Sequence, residues 1–333
     1  MSDRKVNISP SRREFMKAVG GTLALRVASV EQISRTCAAS DPKRPIVDAH
    51  MHVWANDPQR YPFAHPYAKN YQGMPHEGTV EMLVEDMDRN ACTHCVLVQT
   101  ICHGWDNTYL ADCVRRYPRR FKGHGLIDPT DLNVADTLEY WTKEQGLSGM
   151  RFSPMYYQRG NYGGDGWIVA DHSHRLWRKA KQLGSIFNFF IASGQLRSLA
   201  TMVAAHPEVR VIIDHLAQID LGAANPEPDV LELLAMSKYP NVWVKVSELT
   251  SVSKSHEYPF PDAYPFVKRV YEAFGPERLL FGTGYPGSAR SGYHRPPLRQ
   301  EIDLVDKQMA FLTADDRDKI LGRNAVRLWN FAV

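Results

Sequence analysis

Ile46-Val47-Asp48-Ala49-His50-Met51-His52-Val53 is the stretch on which the fold turns. It is a short apolar run that closes on two histidines one residue apart. A run of this length bounded by turn-forming residues reads as a strand buried on both faces. Seven comparable runs follow: Cys95–Ile101, Phe121–Ile127, Leu147–Phe152, Ser185–Ile191, Val209–His215, Asn241–Ser247 and Arg278–Thr283. Segments of helical periodicity separate them, such as Val80-Met82-Leu83-Met87 and Leu110-Cys113-Val114-Tyr117. Strands that alternate with helices pair in parallel, because each return to the same end needs a crossover. Eight such units predict an α/β fold of one domain, a closed (β/α)8 TIM barrel. No Gly-x-Gly-x-x-Gly follows the first run, which disfavours a dinucleotide-binding sheet.

Composition narrows the function. The 333 residues are 44% hydrophobic and 23% charged, as in an ordinary globular chain. A net charge of +3 with no basic module argues against nucleic acid as a partner. No run of about 18 apolar residues exists to span a membrane. Of the five cysteines, Cys92 and Cys95 form a Cys-x-x-Cys pair that could be redox-active or half a zinc site. No second pair completes it, so buried structural thiols are the expectation. Residues 1–44 differ from the rest. Ser11-Arg12-Arg13-Glu14-Phe15-Met16-Lys17, before the apolar Ala18–Val30, resembles a twin-arginine export signal and predicts a periplasmic protein. A disordered leader would instead leave the protein cytoplasmic. The barrel is assigned to residues 45–333.

In such a barrel the chemistry belongs at the C-terminal ends of the strands. His50 and His52 alternate onto one face of the first strand, and neutral imidazoles so spaced can share a divalent ion. Two histidines hydrogen-bonded in a polar plug would show the same spacing. The sixth run ends Ile212-Ile213-Asp214-His215 and supplies a third imidazole, and the third run carries His124. Arg151 ends the fourth run, with Tyr156 and Tyr157 behind it. A guanidinium there offers a fork for a substrate carboxylate and the phenols offer protons, although a structural ion pair would also explain it. Lys245 and Ser247 share one face of the seventh run, and Glu248 opens the loop after it.

Five stretches together resemble the amidohydrolase-related barrel family, in the branch of sugar lactonases, pyrone-dicarboxylate lactonase and metal-dependent decarboxylases. They are Val47-Asp48-Ala49-His50-Met51-His52-Val53-Trp54, Val98-Gln99 with Asp106-Asn107, Gly149-Met150-Arg151-Phe152, Ile213-Asp214-His215-Leu216, and Asn241 to Ser247. The resemblance implies a lactonase-like hydrolase of a small carboxylated cyclic substrate. Arg151, His124 and Tyr285 would bind the substrate, and His215, Glu248 and Tyr156 would act on it. His50, His52 and His215 would form a weak site for zinc or manganese, with metal-free chemistry also open. The chain could form a homo-oligomer. Two positions depart from the family pattern. Phe190 stands where metal-dependent members keep a histidine after strand five, and Gly284 stands where they keep an aspartate after strand eight. Those losses leave two other readings open, a catalytically reduced barrel that binds a small acid and a non-oxidative decarboxylase.

Overall fold

The computed structural model describes residues 44–333, apart from the side chains of 158–161. The export-signal reading of residues 1–44 therefore lies almost wholly outside the described residues. Eight parallel strands follow one another in sequence order: β1 Val47–Met51, β2 His94–Val98, β3 Phe121–Leu126, β4 Gly149–Phe152, β5 Ile186–Phe189, β6 Val211–Ile213, β7 Val242–Val246 and β8 Leu279–Phe281. Helices between them pack outside, as their apolar stripes require. The helix Val80–Arg89 buries Val80, Leu83 and Met87, and Thr79 caps its first turn by accepting from the Met82 amide. Among the described residues no helix is long and apolar enough to cross a membrane. Cys92, Cys95, Cys102 and Cys113 are buried free thiols.

The seam between β8 and β1 nearly closes the ring and shapes the site above it. The His52 amide donates to Gly284 O at 2.8 Å and the Thr283 amide to His50 O at 3.3 Å. Asp48 tightens the seam, accepting from the Thr283 amide at 3.0 Å and its hydroxyl at 2.5 Å. Arg290 donates to the same hydroxyl at 2.8 Å. Glycine at 282 allows the close approach of the two chains, since a Cβ there would stand 3.0 Å from the His50 Cβ.

Below the seam, Val47, Ala49, Val96, Val98, Ile186, Ile212 and Leu280 pack with Leu328, Trp329 and Phe331 from the C-terminal helix and tail. On β1 the floor residues Val47 and Ala49 hold odd positions and the histidines even ones. With a period of two, Ala49 and His50 would point to opposite faces. The β1–β2 register shifts between Asp48 and Met51, so that one extra residue is accommodated on β1. A bulge of this kind re-aims the side chains beyond it. Val47 and Ala49 thus fill the floor while His50 and His52 both face the mouth.

Candidate active site

Four strand ends converge above that floor. His50 and His52 come from β1, Arg151 from β4, Asp214 and His215 from the end of β6, and Lys245, Ser247 and Glu248 from β7 and its end. His50 Nε2 and His52 Nε2 are 3.3 Å apart, and the His50 and His215 rings lie 4.3 Å centroid to centroid. His52 Nδ1 meets Val98 O at 2.8 Å, and His215 Nδ1 meets Ser247 Oγ at 2.8 Å. Asp214 is the electrostatic hub. Its Oδ1 is 3.0 Å from Lys245 Nζ and its Oδ2 accepts from Arg151 Nε at 3.1 Å. All these groups are buried except Glu248, which is half-buried.

The backbone here is strained. His215, Leu216, Ala217 and Gln218 have φ of 50, 55, 57 and 54°, a left-handed turn of four non-glycine residues. Each such residue costs about 1–2 kcal/mol, and strain of this kind concentrates at functional sites. Glu248 is also left-handed, at φ 56°. It turns the chain sharply after β7 and carries its carboxylate into the mouth.

Burial and charge together set the protonation states. Burial, with the Arg151 charge, pushes His52 down to about 3. Burial and the Lys245 charge hold His50 well below the usual imidazole range, and burial holds His215 there too. These rings are neutral. Burial alone would raise Asp214, but the Lys245 charge overcomes it and holds the carboxyl well below its usual value. Glu248 goes the other way. Burial raises it against the pull of Arg295 and Arg151.

A cavity of about 300 Å³ opens onto this cluster, lined by His52, Arg151, Tyr156, Phe190, His215, Glu248, Tyr285 and Arg295, among others. The structure therefore brings together most of the residues singled out from the sequence. His124 is the exception. It is fully buried and its Nε2 accepts from Trp329 Nε1 at 2.8 Å, which ties it to the C-terminal helix and leaves it outside the cavity wall. His50, Asp214 and His215 offer ligand atoms within 4.8 Å of one another and could hold an ion, and His52 Nε2 stands 3.3 Å from His50 Nε2 beside them.

The two departures from the family pattern have physical consequences. Phe190 makes the strand-five position a wall. Its ring lies 4.5 Å from the Arg151 guanidinium carbon, a cation–π contact that steadies the fork. At 284, a Cβ built on the glycine would stand 3.2 Å from Glu248 Oε1. The carboxylate of Glu248 thus occupies the space beside strand eight that an aspartate at 284 would enter. Arg295, from the segment after β8, fixes it with a 2.8 Å ion pair to Oε2. Arg295 was not singled out from the sequence. An arginine in a loop carries no signal of its partner 47 residues away.

The sequence model described as Amidohydrolase matches residues 47–331. The chain is 26% identical to 4-sulfomuconolactone hydrolase of Hydrogenophaga intermedia, over 85% of this chain and 88% of that protein. It is 25% identical to 2-pyrone-4,6-dicarboxylate hydrolase of Comamonas testosteroni, over 85% and 89%. An amidohydrolase from Burkholderia multivorans with bound zinc shares the fold at a TM-score of 0.68 and 19% identity, over 86% of this chain and all of that one. The match over nearly the whole barrel places the chain in the amidohydrolase family.

Proposed function

We propose that the protein hydrolyses a small cyclic ester that carries at least one acid group. The observation that carries this reading is one cavity holding both a guanidinium with N–H donors to spare and a braced carboxylate. Arg151 engages Asp214 through Nε alone among the described residues, so its terminal nitrogens are available to a substrate carboxylate. Glu248, braced by Arg295, faces the same space and accepts the proton of an attacking water. His52 and His215 line the cavity as neutral rings, His215 with its Nδ1 on Ser247 orients the ester carbonyl through Nε2, and Tyr156 stands on the same wall to give a proton to the departing oxygen. The relatives named for hydrolysis of a sulfomuconolactone and a pyrone dicarboxylate support the same substrate class. Zinc or manganese held by His50, Asp214 and His215 would add Lewis acidity at the carbonyl. We propose that such an ion is held weakly.

A panel of acidic and neutral lactones tests the reading. Wild type is expected to open acidic lactones and pyrones in preference to neutral ones. Arg151→Lys retains charge but not the planar fork, so the KM for an acidic lactone should rise by the equivalent of about 1.5–3 kcal/mol. The KM for a neutral lactone should hardly move. Hydrolysis of none of the esters, or equal KM values in both proteins, would overturn the assignment. Release of carbon dioxide from an aromatic acid would indicate a decarboxylase instead.

A further inference from the structure

His52 is arranged as metal-binding histidines are. Its Nδ1 faces a carbonyl acceptor, Val98 O, so its hydrogen sits there and its lone pair is on Nε2. His50 is arranged in the opposite sense. Its Nδ1 faces Lys245 Nζ at 3.0 Å, while Asp214 Oδ1 stands beyond hydrogen-bond reach at 3.6 Å, and an ammonium only donates. The lone pair of His50 is therefore on Nδ1 and its hydrogen on Nε2, directed at His52 Nε2 3.3 Å away. Neither nitrogen of His50 is then open, one being protonated and the other already bonded, so an ion at this group has to displace the ammonium first. Lys245 Nζ also lies 3.0 Å from Asp214 Oδ1, so a single ammonium sits between two of the three groups able to hold a metal. Arg151 takes the other oxygen of Asp214. The carboxylate that would neutralise an incoming dication is already shared by two cations.

We propose that Lys245 is a positioning residue that closes the metal site. It fixes His50 as the Nε2–H tautomer and makes the His50–His52 pair a directed hydrogen bond rather than a two-ligand clamp. It also supplies at Asp214 the positive charge that an ion would bring. Reading Lys245 as a purely structural buried ion pair would account for its contact with Asp214. It gives no reason for the tautomer imposed on His50.

The test uses the full chain and zinc alone, in competition with a chromophoric chelator. Wild type should bind zinc weakly. Lys245→Met should bind at least about tenfold more tightly, the scale on which groups behind a ligand alter metal affinity. Lys245→Arg, which keeps a donor cation, should stay near wild type. Ring ¹⁵N spectra of wild type should place the hydrogen on Nε2 of His50 and on Nδ1 of His52. Lys245→Met should lose that fixed pattern at His50. If the methionine variant does not fold, Lys245→Leu, which likewise has no donor for His50, is read in the same way. One tightly held zinc per wild-type chain, unchanged affinity in a folded neutral variant, or the hydrogen of His50 on Nδ1 would each overturn the proposal. The wild-type spectrum alone decides it if neither neutral variant folds. These readouts do not depend on turnover, so an inactive lactone panel would leave the proposal standing.

Discussion

Glu248→Gln is expected to lower kcat/KM on an acidic lactone by about 10²–10⁴-fold, the contribution of a positioned general base. The fold should survive, because glutamine can still accept from Arg295 and the residue lies at the rim of the cavity. With Oε1 3.2 Å from a Cβ built at 284, Glu248 fills from the β7 side the space that a strand-eight aspartate would enter. Gly284→Asp alone should therefore reduce activity. It sets a second carboxylate against the first, and like charges so close cannot both ionise freely. The combination Gly284→Asp/Glu248→Gln removes the conflict and should recover part of the rate lost in Glu248→Gln. Full activity in Glu248→Gln would place the base elsewhere. Failure of the double variant to exceed the single one would mean that the two positions are not interchangeable.

The barrel was readable because eight buried runs at helix-sized intervals admit few other arrangements. Each observed strand falls within its run or one residue beyond it, as with β2, which starts at His94 rather than Cys95. Arg151, His215 and the two β1 histidines were readable as strand-end residues. Depth was not. Alternation says which face a side chain takes but not its height along the barrel axis, and His124 therefore looked like a mouth residue while lying against Trp329. The β1 bulge was hidden for a related reason, since an extra residue leaves composition unchanged and shows only in the register with β2. The pairs Lys245–His50 and Glu248–Arg295 join residues 195 and 47 positions apart. Neither distance follows from spacing. Both need the ring to close.

His124 makes the second large effect a matter of stability rather than catalysis. Its ring is buried and accepts from Trp329 Nε1 at Nε2, so the folded protein keeps it neutral. Burial, with the Lys245 charge, pushes it down to about 3 from an ordinary 6.5. Between those values the unfolded chain takes up a proton that the folded chain refuses. Stability due to this group is thus present above pH 6.5 and is lost as pH falls towards 3. The slope is up to about 1.4 kcal/mol per pH unit and the total on the order of 5 kcal/mol. That is a large share of the roughly 5–15 kcal/mol that holds a domain together. Glu301 acts in the opposite sense. Burial raises it to about 7 from 4.5, so its folded form gains stability as pH falls through that window. The two nearly cancel between about pH 6.5 and 4.5, and below 4.5 the loss at His124 has no such offset. His124→Gln keeps an acceptor for Trp329 but cannot titrate. Urea unfolding at intervals from pH 7 to 3.5 should show the wild-type free energy falling relative to the variant by up to about 1.4 kcal/mol for each unit of acidification. Parallel curves would mean that the folded protein protonates His124 as readily as the unfolded chain does. The ring would then have to be reached by water from below the apolar floor, and the tie to the C-terminal helix would not be the seal that its geometry describes.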